Sequence, residues 1–365
     1  MSVHRLAVAV AYWITLTSGI LGQGVPKAKP SKVPPQATMR VTGHLVRVET
    51  VTAPSEMAGL ARPPLRCDEA GNIYLRTDSE PQSAIHKLNS KGESVALYQT
   101  ASSTMKIDVA SYFDVDPDGR EVRELVYPHE INRYVFVYSA DGELKSTVKL
   151  DPGFPFMPSK LVGFASGEYL VSGLEYDQDK TAAMWPFTGI FAADGRLLKE
   201  LKLEDDNTLR DMAASGDTRV ANPGHPGSNR AVSGSEVETA GDGNAYLMRW
   251  TNPVIFYAVT PGGEVLRRFT IAPGQSSYEP AAMHVYKHRI AVWLVDMQSG
   301  NSIMKIVDLE GHEIATYDES KAEDAKEPDG GLGAAFACYT ENPTRFTFVG
   351  ANNENRLQFW IAEPR

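Results

Sequence analysis

A glycine-closed hairpin recurs at nearly constant spacing along this 365-residue chain, and that repeat limits the fold more than any other feature. Five times an apolar strand runs into a polar turn ending in glycine, then continues as an alternating strand. The five are IHKLNSKG followed by ESVALY, YVFVYSADG by ELKSTVKL, TGIFAADG by RLLKELKL, IFYAVTPGG by EVLRRFTI, and IMKIVDLEG by HEIATYDE. Their closing glycines are Gly92, Gly142, Gly195, Gly263 and Gly311, at intervals of 50, 53, 68 and 48 residues. Such tight turns take a positive φ that a Cβ would penalise, which is why glycine recurs there. A weaker hairpin precedes each one. It turns at Gly71, Gly119, Gly167 and Gly243, and in the fifth case at Lys287-His288 without a glycine. Two hairpins in series make four antiparallel strands, and a period near fifty residues is that of a propeller blade.

The C-terminus supplies only part of a further unit. Ala335 to Phe348 forms a hairpin turning near Asn342-Pro343, and Arg356 to Ala362 a third strand. The fourth is expected from the other end of the chain, where Met39 to Val48 has strand character. Pairing the two ends removes two exposed edges. The expectation is an all-β chain: a six-bladed β-propeller of four-stranded antiparallel blades, its ring closed by an N-terminal strand joining the C-terminal blade. The long interval holds an insertion, 205–232, rich in Asp, Asn, Gly and Ser. The polar stretch Ser320 to Lys326 is compatible with a helix, but it lies in the acidic segment 318–329 and reads as a solvated loop.

The turns resemble those of NHL-type and other six-bladed propellers, with their recurring D-x-x-G-N-x-Y and D-G-E patterns. Here these are Asp68-Glu-Ala-Gly-Asn-Ile-Tyr74, Gly241-Asp-Gly-Asn-Ala-Tyr246 and Ala140-Asp-Gly-Glu143. The resemblance spans about residues 38–365 at the level of fold. Because the shared motifs are turn chemistry, they imply little about function. Some six-bladed propellers are calcium-dependent lactonases, but no such ligand set can be carried over residue by residue.

The N-terminus points to export. His4 and Arg5 precede an uncharged, mostly apolar run from Leu6 to Leu21, and Gly22-Gln23-Gly24 offers small residues for cleavage. Residues 1–24 are therefore expected to be a signal peptide, 25–37 a Pro/Lys-rich linker, and 38–365 the propeller. No membrane insertion is expected after cleavage, and the mature chain is assigned to the periplasm or the extracellular space. A retained anchor is the alternative, although 16 residues are short for a bilayer. The formal net charge of −10 disfavours nucleic acid and anionic membranes as partners.

The strand order sorts the loops by face. The turns between strands one and two, and between three and four, are short and share one face. The remaining connections are longer and share the other, among them Pro152–Pro158, Glu175–Pro186, Asp205–Val232, Pro273–Pro280 and Asp318–Leu332. Phe154, Phe156, Trp185 and Tyr278 are possible contact aromatics there, with local packing as the alternative.

Chemistry-bearing motifs are sparse. Asp114-Val-Asp-Pro-Asp-Gly119 has the spacing of a calcium loop, but its twelfth position is Leu125 and it falls on a short turn. His284 and His288 stand four apart in a strand–turn segment, not on a helix, and His225 lies in a Pro/Gly turn. No HExxH, GxSxG or P-loop occurs, and no cofactor is expected. Cys67 and Cys338 fall on the inner strands of the first and last units, which a closed ring makes neighbours. A bridge there would stabilise by roughly 3–5 kcal/mol in the chain-entropy model. Two buried thiols are the alternative.

The function expected from the sequence is a non-catalytic binding or scaffold propeller that recognises a peptide, glycan or protein through its long-loop face. The alternative is a metal-dependent hydrolase, lactonase or lyase with a site at the central channel. An enzyme needs converging carboxylates, amides or imidazoles at the channel mouth, and a binder needs an apolar or aromatic patch there.

Overall fold

The computed structural model describes residues 41–77 except 56 and 58, 84–100, 105–128, 132–176, 184–203, 232, 235–275, 277–296, 298–319, 335–352 and 354–365. The signal peptide and linker expected at 1–24 and 25–37 lie outside these residues. So do most of the insertion 205–232, with His225, and of the acidic segment 318–329.

Every strand-forming run expected from the repeat is a strand. After β1 (Gly43–Thr52), the strands β2 (Ala61–Cys67), β3 (Ile73–Thr77), β4 (Ile85–Leu88) and β5 (Ser94–Tyr98) form one antiparallel sheet in chain order. A second sheet holds β6 (Ile107–Val115), β7 (Glu121–Pro128), β8 (Arg133–Ser139) and β9 (Leu144–Leu150). The third holds β10 (Phe156–Gly163), β11 (Tyr169–Tyr176), β12 (Met184–Phe191) and β13 (Leu197–Glu200). The fourth holds β14 (Glu236–Thr239), β15 (Ala245–Arg249), β16 (Val254–Val259) and β17 (Val265–Ile271).

The remaining strands make one eight-stranded sheet. It joins β18 (Tyr278–Tyr286), β19 (Arg289–Asp296), β20 (Ser302–Asp308) and β21 (Glu313–Glu319) to a run of β1, β24 (Leu357–Pro364), β23 (Arg345–Ala351) and β22 (Ala335–Thr340). The seam is short: β1 meets β21 in parallel over three residue pairs, Gly43–Tyr317 to Leu45–Glu319. The same β1 pairs antiparallel with β24 from Leu45–Pro364 to Thr52–Gln358. The chain is thus an all-β, propeller-like arrangement of four-stranded antiparallel sheets. The strand expected at Met39–Val48 is β1 at Gly43–Thr52, whose ladder with β24 runs on through Val51 and Thr52.

The first strand of each run lies innermost. β2 touches β6, β6 touches β10, β10 touches β14, β14 touches β18, β18 touches β22, and β22 touches β2. The apolar core is correspondingly divided into clusters between neighbouring sheets. One joins Phe156, Phe187 and Phe191 of the third sheet to Leu125 of the second and Leu247 of the fourth, and another places Leu75 and Leu88 against Val349 and Phe359. Each such buried side chain contributes about 1.5–3 kcal/mol. The hairpin turns also seat against the sheet before them. A Cβ on Gly195 (φ +87°) would collide with the Lys149 carbonyl oxygen, so glycine is required there for contact as well as conformation. Gly92 makes the corresponding approach to Val51 of β1, which ties the first sheet to the last.

Candidate functional site

The turn motifs are explained by their own hydrogen bonds. Asp68 accepts from the Asn72 amide and side chain and from the Tyr74 hydroxyl. Asp242 does the same with Asn244 and Tyr246. Asp and Tyr recur in the pattern because one carboxylate locks the turn to its second strand.

The inner strands carry charge into the middle of the molecule. Arg66 on β2 meets Glu236 on β14 at 2.7 Å and Glu238 at 3.5 Å. Lys160 on β10 reaches the other Glu236 oxygen at 3.4 Å. Tyr112 on β6 accepts from Arg66 and donates to Glu236 at 3.1 Å. Its ring underlies both cations, 5.0 Å from the Arg66 guanidinium and 4.7 Å from Lys160 Nζ. His284 on β18 bonds Glu238 through Nδ1 at 3.0 Å, and the Val285 amide donates to the same carboxylate at 2.6 Å. Beside them, Cys67 on β2 and Cys338 on β22 are joined, with Cα atoms 5.5 Å apart. All six inner strands contribute.

These groups are buried, Arg66 and His284 to 4% exposure. Burial works against ionisation of Glu236, but Lys160 and Arg66 outweigh it and hold the carboxyl below its ordinary range. Burial, reinforced by Arg66, pushes Lys160 down. Burial pushes the Tyr112 hydroxyl far up, so it stays a neutral donor. Two cations facing two carboxylates form a self-compensating plug. Such a cluster survives in low dielectric only when its charges balance.

A cavity of about 610 Å³ opens nearby, ringed by the first hairpin turns of four sheets. It is lined by Glu69, by Asp116 to Glu121 except Gly119, by Arg123 and Lys145, by Gly163–Gly167, and by Thr239, Ala240 and Gly243. The calcium-loop motif sits at this rim, and its carboxylates are already occupied. Arg123 Nη1 lies 3.1 Å from Asp114 and 2.5 Å from Asp116, and the Gly163 amide donates to Asp114 at 3.0 Å. Asp118 pairs with Arg120 at 2.8 Å. The guanidinium fills the place a cation would take.

Burial raises the Asp114 carboxyl to about 6, against the pull of Arg123 and the Gly163 amide. The folded state therefore takes up the Asp114 proton before the unfolded chain does. The stabilisation is complete below the ordinary value of 3.8 and is lost as pH rises through about 6. The stability advantage of the wild type over Asp114→Asn is expected to grow as pH falls from 7 to 4.5. Denaturant unfolding at several pH values checks this, and a constant difference would contradict it.

A second cavity, about 420 Å³, lies on the long-loop face against Pro152–Phe156, Arg133 and Lys149. Of the aromatics named for that face, Phe156 and Tyr278 are buried in core clusters, and Phe154 packs edge-on against Phe187 at 5.2 Å. Phe156 and Tyr278 thus take the packing alternative, because both begin inner strands and enter core clusters. The Trp185 side chain lies outside the described residues, as do residues 177–183, 204–231 and 320–334. Sequence reasoning passed over Arg66, Tyr112, Lys160, Glu236 and Glu238. The available signal was a charged or tyrosine side chain near the end of successive inner strands.

No protein-family model and no curated protein matches the chain, and membership of the NHL family is not shown. Solved structures give weak likenesses. A Bacteroides fragilis protein, named as a candidate exported protein, shows 12% identity over 91% of this chain and 97% of its own, with a TM-score of 0.48. A Bacteroides caccae protein of unknown function shows 13% identity over 70% and 80%, with a TM-score of 0.44. Likenesses of this strength identify no relative.

Proposed function

We propose that this chain is an exported six-bladed β-propeller, periplasmic or extracellular, that binds a polypeptide segment of mixed charge without transforming it. The carrying observation is a 610 Å³ cavity whose rim offers charges of both signs, beside a central cluster whose own charges are paired with one another. That volume falls within the range of ligand sites. The rim presents Arg120 and Lys145 beside Asp118 and Glu121. Its one aromatic, Phe164, is buried, so a sugar ring would find no exposed stacking face. Mixed charge suits a peptide better than a glycan. This moves recognition from the long-loop face to the short-turn face.

The closed series of inner-strand contacts supports six blades. The eight-stranded sheet then counts as two blades joined by a three-pair seam. The N-terminal sequence supports export, and the Cys67–Cys338 bond is suited to an oxidising compartment, where it would staple the first blade to the last. A hydrolase or lyase would need channel carboxylates free to act. Glu236, Glu238, Asp114 and Asp116 are each paired with Arg or Lys.

The test is affinity for peptides selected on the wild-type protein. Arg120→Glu with Lys145→Glu changes two exposed rim charges, so the fold is retained. Binding of acidic peptides is expected to fall by about tenfold at low salt and less at high salt. Unchanged affinity would remove the short-turn mouth as the site.

A further inference from the structure

The joined cysteines have a third neighbour that the binding reading does not use. Cys67 Sγ, Cys338 Sγ and a ring nitrogen of His284 all lie within 4.8 Å of one another, and all three residues are buried. His284 Nδ1 is committed to Glu238, and Nε2 has no hydrogen-bond partner. A buried imidazole nitrogen left without a partner is costly to keep. Its other nitrogen is held by a carboxylate that is itself fixed by the Val285 amide and Arg66. That is the support metal-ligating histidines receive: a carboxylate on the far nitrogen sets the ring and its tautomer.

We propose that Cys67, Cys338 and His284 form a redox-gated site for a divalent cation of the zinc class. While the sulfurs are bonded to each other the site is closed. A dithiol reductant opens it by giving two electrons and two protons to the bridge and leaving as its own disulfide. Two thiols result. The cation then takes both as thiolates, two protons go to solvent, and His284 supplies the third ligand. A tetrahedral centre with thiolate bonds of about 2.3 Å sets its sulfurs about 3.8 Å apart, a separation small shifts of β2 and β22 can supply. The fourth position is left for water or a ligand group. The three ligands come from β2, β18 and β22, so the cation would take over the bridge's task of holding the first and last sheets together.

Cobalt(II) added to the purified protein tests the proposal, with folding followed by circular dichroism. The oxidised protein is expected to show no thiolate-to-cobalt absorption. After reduction with a phosphine, one cobalt per chain is expected, with the intense visible bands of a tetrahedral site. His284→Gln is expected to weaken binding by about tenfold or more. Three results would each overturn the proposal: no cobalt bound after reduction, equal affinity in His284→Gln, or a bridge that resists reduction in the folded protein. Loss of fold on reduction gives the second result, because an unfolded chain binds through thiolates without regard to His284.

Discussion

Glu236→Ala is expected to lower unfolding stability by about 3–5 kcal/mol at neutral pH, although it deletes one side chain on a four-residue strand. Glu236 is the shared partner of Arg66 and Lys160, at 2.7 and 3.4 Å. Its removal leaves two cations stacked on one tyrosine ring in low dielectric, with Glu238 the remaining carboxylate beside Arg66 and already bonded to His284 and the Val285 amide. Lys160 provides the relief. Burial already lowers its proton affinity, and without Glu236 the folded state holds the proton still less tightly. Above that point the unfolded chain binds more protons, so the variant regains stability as pH rises toward the ordinary lysine value of 10.5. Denaturant unfolding at pH 7 and pH 9.5 measures both effects. A variant as stable as wild type at pH 7 would mean the charges in the centre are solvated.

Deleting β1 is expected to do more. The strand supplies the fourth member of the last run, buries Leu45 at 3% exposure, and covers the edges of β21 and β24. The deletion removes on the order of ten backbone hydrogen bonds, each worth about 1 kcal/mol net. It also bares two edge strands, a template for aggregation. Domains of this kind hold only about 5–15 kcal/mol in total, so the truncated chain should not persist as a folded monomer. Size-exclusion chromatography and circular dichroism would show it. A synthetic peptide of residues 41–54 should restore solubility by strand addition. A monomeric truncation with an unchanged melting temperature would contradict the closing role of β1.

The fold was legible in the sequence because turn chemistry repeats locally. Gly92, Gly142, Gly195, Gly263 and Gly311 mark the outer hairpins, and all five have positive φ. Where the fifth inner hairpin lacks glycine, Lys287 takes φ 52° in its place. The centre was less legible. Arg66 and Glu236 are 170 residues apart, and only closure of the ring brings them together. The calcium-like spacing of Asp114, Asp116 and Asp118 misleads in isolation, because Arg123 answers two of those carboxylates from the next strand. The long-loop aromatics left contact and local packing open for a related reason. Composition marks a loop, but whether Phe156 is covered depends on Phe187 and Phe191 of β12, about thirty residues further along the chain.

Hydrogen–deuterium exchange of the protein with and without a saturating selected peptide tests most directly where recognition occurs. Protection is expected in the turns 116–120, 164–167 and 240–243, which line the 610 Å³ cavity. Protection confined to 177–183, 204–231 and 320–334, with those turns unchanged, would place recognition on the long-loop face and contradict the binding site proposed here.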